Sequence, residues 1–259
     1  MKIRMIITAL AFFVSVLSGC GKHSDSLNNG ELEGSLASSF ESRTENDVER
    51  QIQVIADNMD LWVGLTDYGG IYQYTVTDLD QNGRLELITS INQGTGRFTY
   101  SSYYEINEAM DGLTAYELTR QEGDSEADIM VNSVPVYYDS EHDIYHYIFD
   151  DYIRYSYTLS HENKRAISLK NGELSETILA YKTTQYMDSS TTCTFRDGNG
   201  NEISNDRYCN AADMIFPSFS KKEADFSWYL PRTDSPLVTM DRQELIDVLM
   251  ESYQGFLIH

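Results

Sequence analysis

The chain has 259 residues and carries 19 Lys and Arg against 41 Asp and Glu, a net charge of -22. That acidic excess argues against a nucleic-acid partner, because a phosphate backbone is bound by clustered Lys and Arg, and against electrostatic docking on an anionic membrane. Hydrophobic residues at 41% and aromatic residues at 12%, with only 16 Gly and 4 Pro, exclude collagen, coiled coil and wholesale disorder, and the length suits one domain or two small ones with a sizeable core.

The first elements in chain order read as an address rather than as fold. Lys2 and Arg4 precede an apolar run from Met5 to Leu17. At about 13 residues this run is shorter than the ~20 that span a bilayer and matches the apolar region of a signal peptide. It ends in Leu17-Ser18-Gly19-Cys20, which resembles the bacterial lipoprotein signal. The resemblance implies removal of residues 1–19, lipidation of Cys20, and anchoring on the extracytoplasmic face of the bacterial cell membrane, where two acyl (palmitate-type) chains suffice to hold a protein. Residues 20–43 are rich in Ser, Gly, Asn and Glu with few apolar positions, and read as a flexible tether.

Residues 44–259 read as a single α+β domain. Thr44 caps a helix in which Val48, Ile52, Ile55, Ala56 and Met59 share one face. Runs rich in Tyr, Thr, Ile and Leu then follow at 71–77, 85–90, 98–106, 113–119, 145–159, 165–169, 176–186 and 191–195. Between them stand Gly69-Gly70, Asn82-Gly83, Asp111-Gly112, Asn171-Gly172 and Asp197-Gly198, which mark hairpins. A shorter helix is expected over 206–216. Asp241 and Glu244 have capping-box spacing, and Met240 with Leu245 has staple spacing, at the start of a closing helix. No crossover helix recurs between strands. The expected architecture is therefore a mostly antiparallel β-meander flanked by an N-terminal and a C-terminal helix.

One motif carries chemistry. In VTDLDQNGRLELIT, Asp78, Asp80 and Asn82 alternate, Gly83 follows, and Glu86 closes the run. Hard cations take roughly 6–8 oxygens, and alternate side chains of a tight loop converge on one point. The Arg84 carbonyl would add a main-chain oxygen, so Asp78, Asp80, Asn82, Arg84 and Glu86 form a candidate Ca2+ set. The loop resembles the DxDxDG calcium loops of EF-hands, dockerins and integrin-type repeats. It departs from the EF-hand at the twelfth position, Thr89, and in its strand-like flanks; the acid at the ninth position is closer to the integrin-type loop, though only one copy is present. The competing reading is a bare Asn82-Gly83 type I′ hairpin turn with solvated aspartates. Signal, tether and this loop together look like uncharacterised Gram-positive surface lipoproteins, a likeness that implies no activity.

The remaining features are weaker. Of three Cys, lipidation of Cys20 would leave Cys193 and Cys209 as an even pair in an exported protein, so a disulfide is expected. His142 and His146 have the spacing of HExxH, but on a strand such residues lie ~13 Å apart, too far for one zinc. There is no GxSxG, GxxxxGK[ST] or GxGxxG. Nineteen Tyr with Trp62 and Trp228 suit sheet faces as well as sugar stacking. The reading that results is a lipid-anchored binding module with a structural calcium loop. Its partner would be a glycan, a cell-wall polymer or another protein. The alternatives are a small cell-envelope hydrolase and the solute-binding component of a transporter.

Overall fold

A computed structural model describes residues 47–63, 72–93, 98–118, 126–231 and 237–259. The chain divides between Ser42 and Arg43, and the fold described is that of the second unit. The signal segment, Cys20, the tether, the Thr44 cap and the Gly69-Gly70 turn lie outside the described residues.

The protein is α+β, and its strands form two antiparallel sheets. The first is a plain meander of β1 (Gln73–Thr77), β2 (Glu86–Gln93), β3 (Phe98–Ile106) and β4 (Leu113–Tyr116). The second runs through β5 (Ser133–Asp139), β6 (Ile144–Ser156), β7 (Leu159–Lys170), β8 (Glu173–Met187) and β9 (Ser190–Asp197). Two later strands, β10 (Ser220–Asp225) and β11 (Leu257–Ile258), extend it beyond β5. The helices are α1 (47–57), α2 (Met59–Trp62), α3 (Asn205–Cys209), α4 (Ala211–Ile215) and α5 (Arg242–Gln254).

Strand alternation sorts these elements into four layers. Leu87 of β2 joins Ile52 and Ile55 of α1 and Leu245 and Leu249 of α5 in one core. Its neighbour Ile88 points the other way, into a second core with Tyr147, Phe149 and Ile167 of the seven-stranded sheet. On that sheet's far face, Ile148 and Ala166 pack with Tyr208, Ala211 and Ala212 of α3 and α4. The order is therefore α1/α5, first sheet, second sheet, α3/α4. Each fully buried Leu or Ile contributes about 2 kcal/mol to holding these layers together.

Several local expectations meet the structure directly. Asn171 and Gly172 both have positive φ, 51° and 77°, and Lys170 pairs with Glu173, the geometry of a type I′ hairpin. Asp241 accepts the N–H groups of Gln243 at 2.9 Å and Glu244 at 3.0 Å, capping α5. Others are revised. The run 145–159, read as one strand, breaks at Tyr157-Thr158, where the Thr158 N–H donates to the Ser156 hydroxyl at 3.2 Å. That hydroxyl-built turn carries no Gly, Pro or Asn. The helix over 206–216 is two short helices separated at Asn210 (φ -102°, ψ 21°).

The expected Cys193–Cys209 disulfide is not formed; both are free, exposed thiols. Cys193 lies on β9 with its Sγ 3.7 Å from the Thr184 hydroxyl, and Cys209 ends α3 with its Sγ 3.9 Å from Asn205 Oδ1. An even cysteine count carries no information about where the Cβ vectors point, and those vectors decide whether a bridge can close.

Candidate metal centre

The β1–β2 connection builds the site. Thr77 pairs with Glu86, so the chain spends residues 78–85 on the turn rather than closing a two-residue hairpin. Gln81 (φ 56°) and Gly83 (φ 83°) take left-handed conformations, while Asn82 does not. A type I′ turn needs positive φ at both central residues, so the bare Asn82-Gly83 hairpin is not what forms here. At Gly83 a side chain would meet no steric contact, and the positive φ alone is what favours glycine.

This loop brings Asp78, Asp80 and Glu86 together, with one carboxylate oxygen of each within 4.8 Å of the others. Asp78 accepts the Gly83 N–H at 3.2 Å, and Asp80 accepts the backbone and side-chain N–H groups of Asn82 at 3.3 and 3.1 Å. Glu86 is fully buried. Its Oε2 accepts the Leu79 N–H at 2.7 Å and the Thr77 hydroxyl at 3.1 Å. Its Oε1 is buried and has no hydrogen-bond partner among the described residues. An unsatisfied buried acceptor costs about 1–3 kcal/mol, and more when charged.

The electrostatics follow from the crowding. Burial, then the Asp80 charge, pushes Asp78 up to about 6. Burial and Glu105 raise Asp80, and burial raises Glu86 well above the usual carboxylate range. Each group resists ionisation because burial removes the water that would solvate its charge and a neighbouring carboxylate repels it.

Three surrounding elements hold the loop. Gln51 of α1 grips both sides of the turn, its Nε2 donating to the Gly83 carbonyl at 2.8 Å and its Oε1 accepting the Leu85 N–H at 2.8 Å. From β3, Glu105 stands directly across the ladder from Glu86, fully buried. It accepts Asn82 Nδ2 and Arg84 Nη2, each at 2.9 Å, and the Tyr116 hydroxyl of β4. From the second sheet, the buried Tyr147 hydroxyl donates to the Leu79 carbonyl at 2.6 Å.

Of the five candidate positions, the structure gathers the three carboxylates. Asn82 and Arg84 lie in the same loop; Asn82 Oδ1 accepts the Arg84 N–H at 2.6 Å, and the Arg84 side chain, which is not the expected ligand, turns to Glu105 and the Ile106 carbonyl. Gln51, Glu105 and Tyr147 escape a reading confined to the motif. Glu105 alone had a usable signal, because counting the β2–β3 register outward from Gln93↔Phe98 reaches Glu86↔Glu105. The gathered donors are all oxygens, with no thiolate or imidazole, which is the chemistry of a hard cation rather than of zinc.

The other candidate features carry less. A groove of about 660 Å³ runs beside β8, α3 and α4, past Arg165, Glu176, Asp197, Arg207 and Met214. Among its described lining residues there is no Ser, Cys or His. His142 is exposed and bonds Asp139 at 2.7 Å; His146 is stacked with Phe216 and Phe219; His161 bonds the Thr183 hydroxyl at 3.2 Å. Compared with family models, curated proteins and solved structures, the chain matches none.

Proposed function

We propose that this chain is a lipid-anchored extracytoplasmic protein whose domain binds calcium through the β1–β2 loop and acts as a binding module for a glycan, cell-wall or protein ligand. The observation that carries the metal reading is the Glu86 carboxylate. It is buried beside Asp78 and Asp80, with one oxygen lacking a partner among the described residues and one oxygen of each of the three carboxylates within 4.8 Å of the others. Asp78, Asp80 and Glu86 would hold the ion. A divalent charge there satisfies the orphan oxygen and removes the mutual repulsion of three carboxylates. The lipid anchor rests on Leu17-Ser18-Gly19-Cys20. The groove's described lining holds no Ser, Cys or His, so it lends no support to a Ser–His, Cys–His or His-bound zinc hydrolase. A transporter's solute-binding component calls for parallel α/β lobes, and every strand pairing described here is antiparallel.

The test is thermal unfolding of the full chain with calcium and with a chelator. At a dissociation constant of ~0.1 mM and ~2 mM calcium, binding to the folded state adds about 2 kcal/mol. For a domain of this size that raises Tm by roughly 4–8 °C. An identical Tm in calcium and in chelator would remove the metal from the account.

A further inference from the structure

Leu79 lies between two of the proposed ligands, Asp78 and Asp80, and is committed in three directions. Its N–H donates to Glu86 Oε2 at 2.7 Å, so the residue is bonded to the third ligand. Its carbonyl accepts the Tyr147 hydroxyl of β6 at 2.6 Å. Its side chain, 3% exposed, is buried in the core between the sheets with Tyr147, Phe149, Val136 and Ile167. Tyr147 is itself 1% exposed, and both ends of this contact are fixed by packing. The loop belongs to the first sheet, yet its second residue is part of the second sheet's core.

We infer that the β1–β2 loop is a metal-controlled latch between the two sheets, in which an ion at Asp78, Asp80 and Glu86 seats Leu79 against Tyr147 and so tightens the seven-stranded sheet. This rests on the calcium reading above. Without a cation, repulsion among the three carboxylates acts on the same stretch of backbone that holds Leu79 and works against that contact. With a cation they are drawn together, and the backbone between them loses its freedom to withdraw. Coupling of this kind is reciprocal: if the ion strengthens the Leu79–Tyr147 contact, that contact strengthens ion binding. Tyr147, which is not among the gathered ligands, therefore acts on the metal as a positioning residue through Leu79.

Hydrogen exchange of the full chain, with calcium chloride or with chelator, tests this beside calorimetric calcium titrations of wild type and Tyr147→Phe. In wild type, calcium should slow exchange at residues 77–87 and also in β6 and β7, over 144–150 and 165–170, while the β8–β9 tip stays unchanged. In Tyr147→Phe the slowing should be confined to 77–87, and calcium affinity should fall at least about fivefold. Should that variant fold poorly, Leu79→Val shortens the same plug and gives the same readout. Calcium heat with wild-type protection confined to 77–87 would overturn the latch and leave the metal site standing. No calcium heat in wild type at millimolar concentration would end both readings.

Discussion

Asp78 shows what crowding buried carboxylates in one loop costs in stability. Burial and the neighbouring Asp80 hold its carboxyl up at about 6, against an ordinary value of 3.8. A folded-state value raised above the unfolded one favours the protonated form, so this contribution is present below about pH 4 and is lost as pH rises to 6. At neutral pH the ionised Asp78 carboxylate is a burden on the fold. Asp78→Asn should therefore leave Tm in chelator unchanged or raised by a few degrees, while abolishing the rise in calcium; a lower Tm in chelator would mean that the carboxylate has a structural duty of its own. The histidines give a second residue-scale test with opposite signs. The half-buried His146 ring stacks on Phe216 at 4.7 Å and Phe219 at 5.5 Å, and burial lowers its pKa below 6.5. Its contribution to stability is thus present above pH 6.5 and lost as pH falls through the folded value. His142, bonded to Asp139, is raised, and its contribution is full below 6.5 and fades above. Proton NMR titration of the imidazoles should place the two on opposite sides of 6.5, and His146→Phe should flatten the acid limb of the stability curve. The thiols are tested by counting: native protein should react with a thiol reagent at both Cys193 and Cys209.

At the scale of elements, the long strands of the second sheet are tied by a buried charge cluster. Arg165 of β7 reaches Asp151 of β6 and Glu176 of β8, each at 3.1 Å, with all three side chains at most 4% exposed. Removing Arg165 takes the guanidinium away from two buried carboxylates, of which Asp151 keeps the Asn163 amide at 3.1 Å. Arg165→Met should cost about 3–5 kcal/mol in denaturant unfolding, far above the loss of a surface pair. A loss below 1 kcal/mol would show that water reaches the cluster. Elements of this sheet also mark the limit of what could be read from residues alone. The Asn171-Gly172 hairpin, the α5 cap and the apolar face of α1 were legible because each is a local rule written in adjacent residues. β10 was not: SKKEAD contains no aromatic or β-branched residue, and only pairing with β5 and β11 over the buried Ala224 makes it a strand. β5 was hidden by Pro135, which lies opposite Glu223 of β10 and outside the ladder with β6. The candidate site divides the same way. Asp78, Asp80 and Glu86 announce themselves within nine residues, whereas Gln51, Glu105 and Tyr147 arrive from other layers by packing that no local pattern encodes.

At the scale of the molecule, the proposed reading separates an anchor from a domain. Among the described residues no helix is long and apolar enough to cross a membrane, and a chain of net charge -22 is repelled by anionic headgroups. On the proposed reading, membrane attachment rests on Leu17-Ser18-Gly19-Cys20, and each acyl chain on Cys20 would add about 0.8 kcal/mol per buried CH₂. The four-layer domain, with its proposed calcium loop, would do the work at the surface. This division is a prediction. In cells, wild-type protein should sediment with membranes, and Cys20→Ala should move it to the soluble extracytoplasmic or secreted fraction. The released protein should keep the calcium-dependent rise in Tm, because Gln51, Glu105 and Tyr147, which brace the loop, belong to the domain rather than to the anchor. Sedimentation of Cys20→Ala with membranes would overturn the lipid anchor. Release with loss of the calcium response would instead mean that residues before 44 help to build the site, and the boundary between tether and domain would have to move.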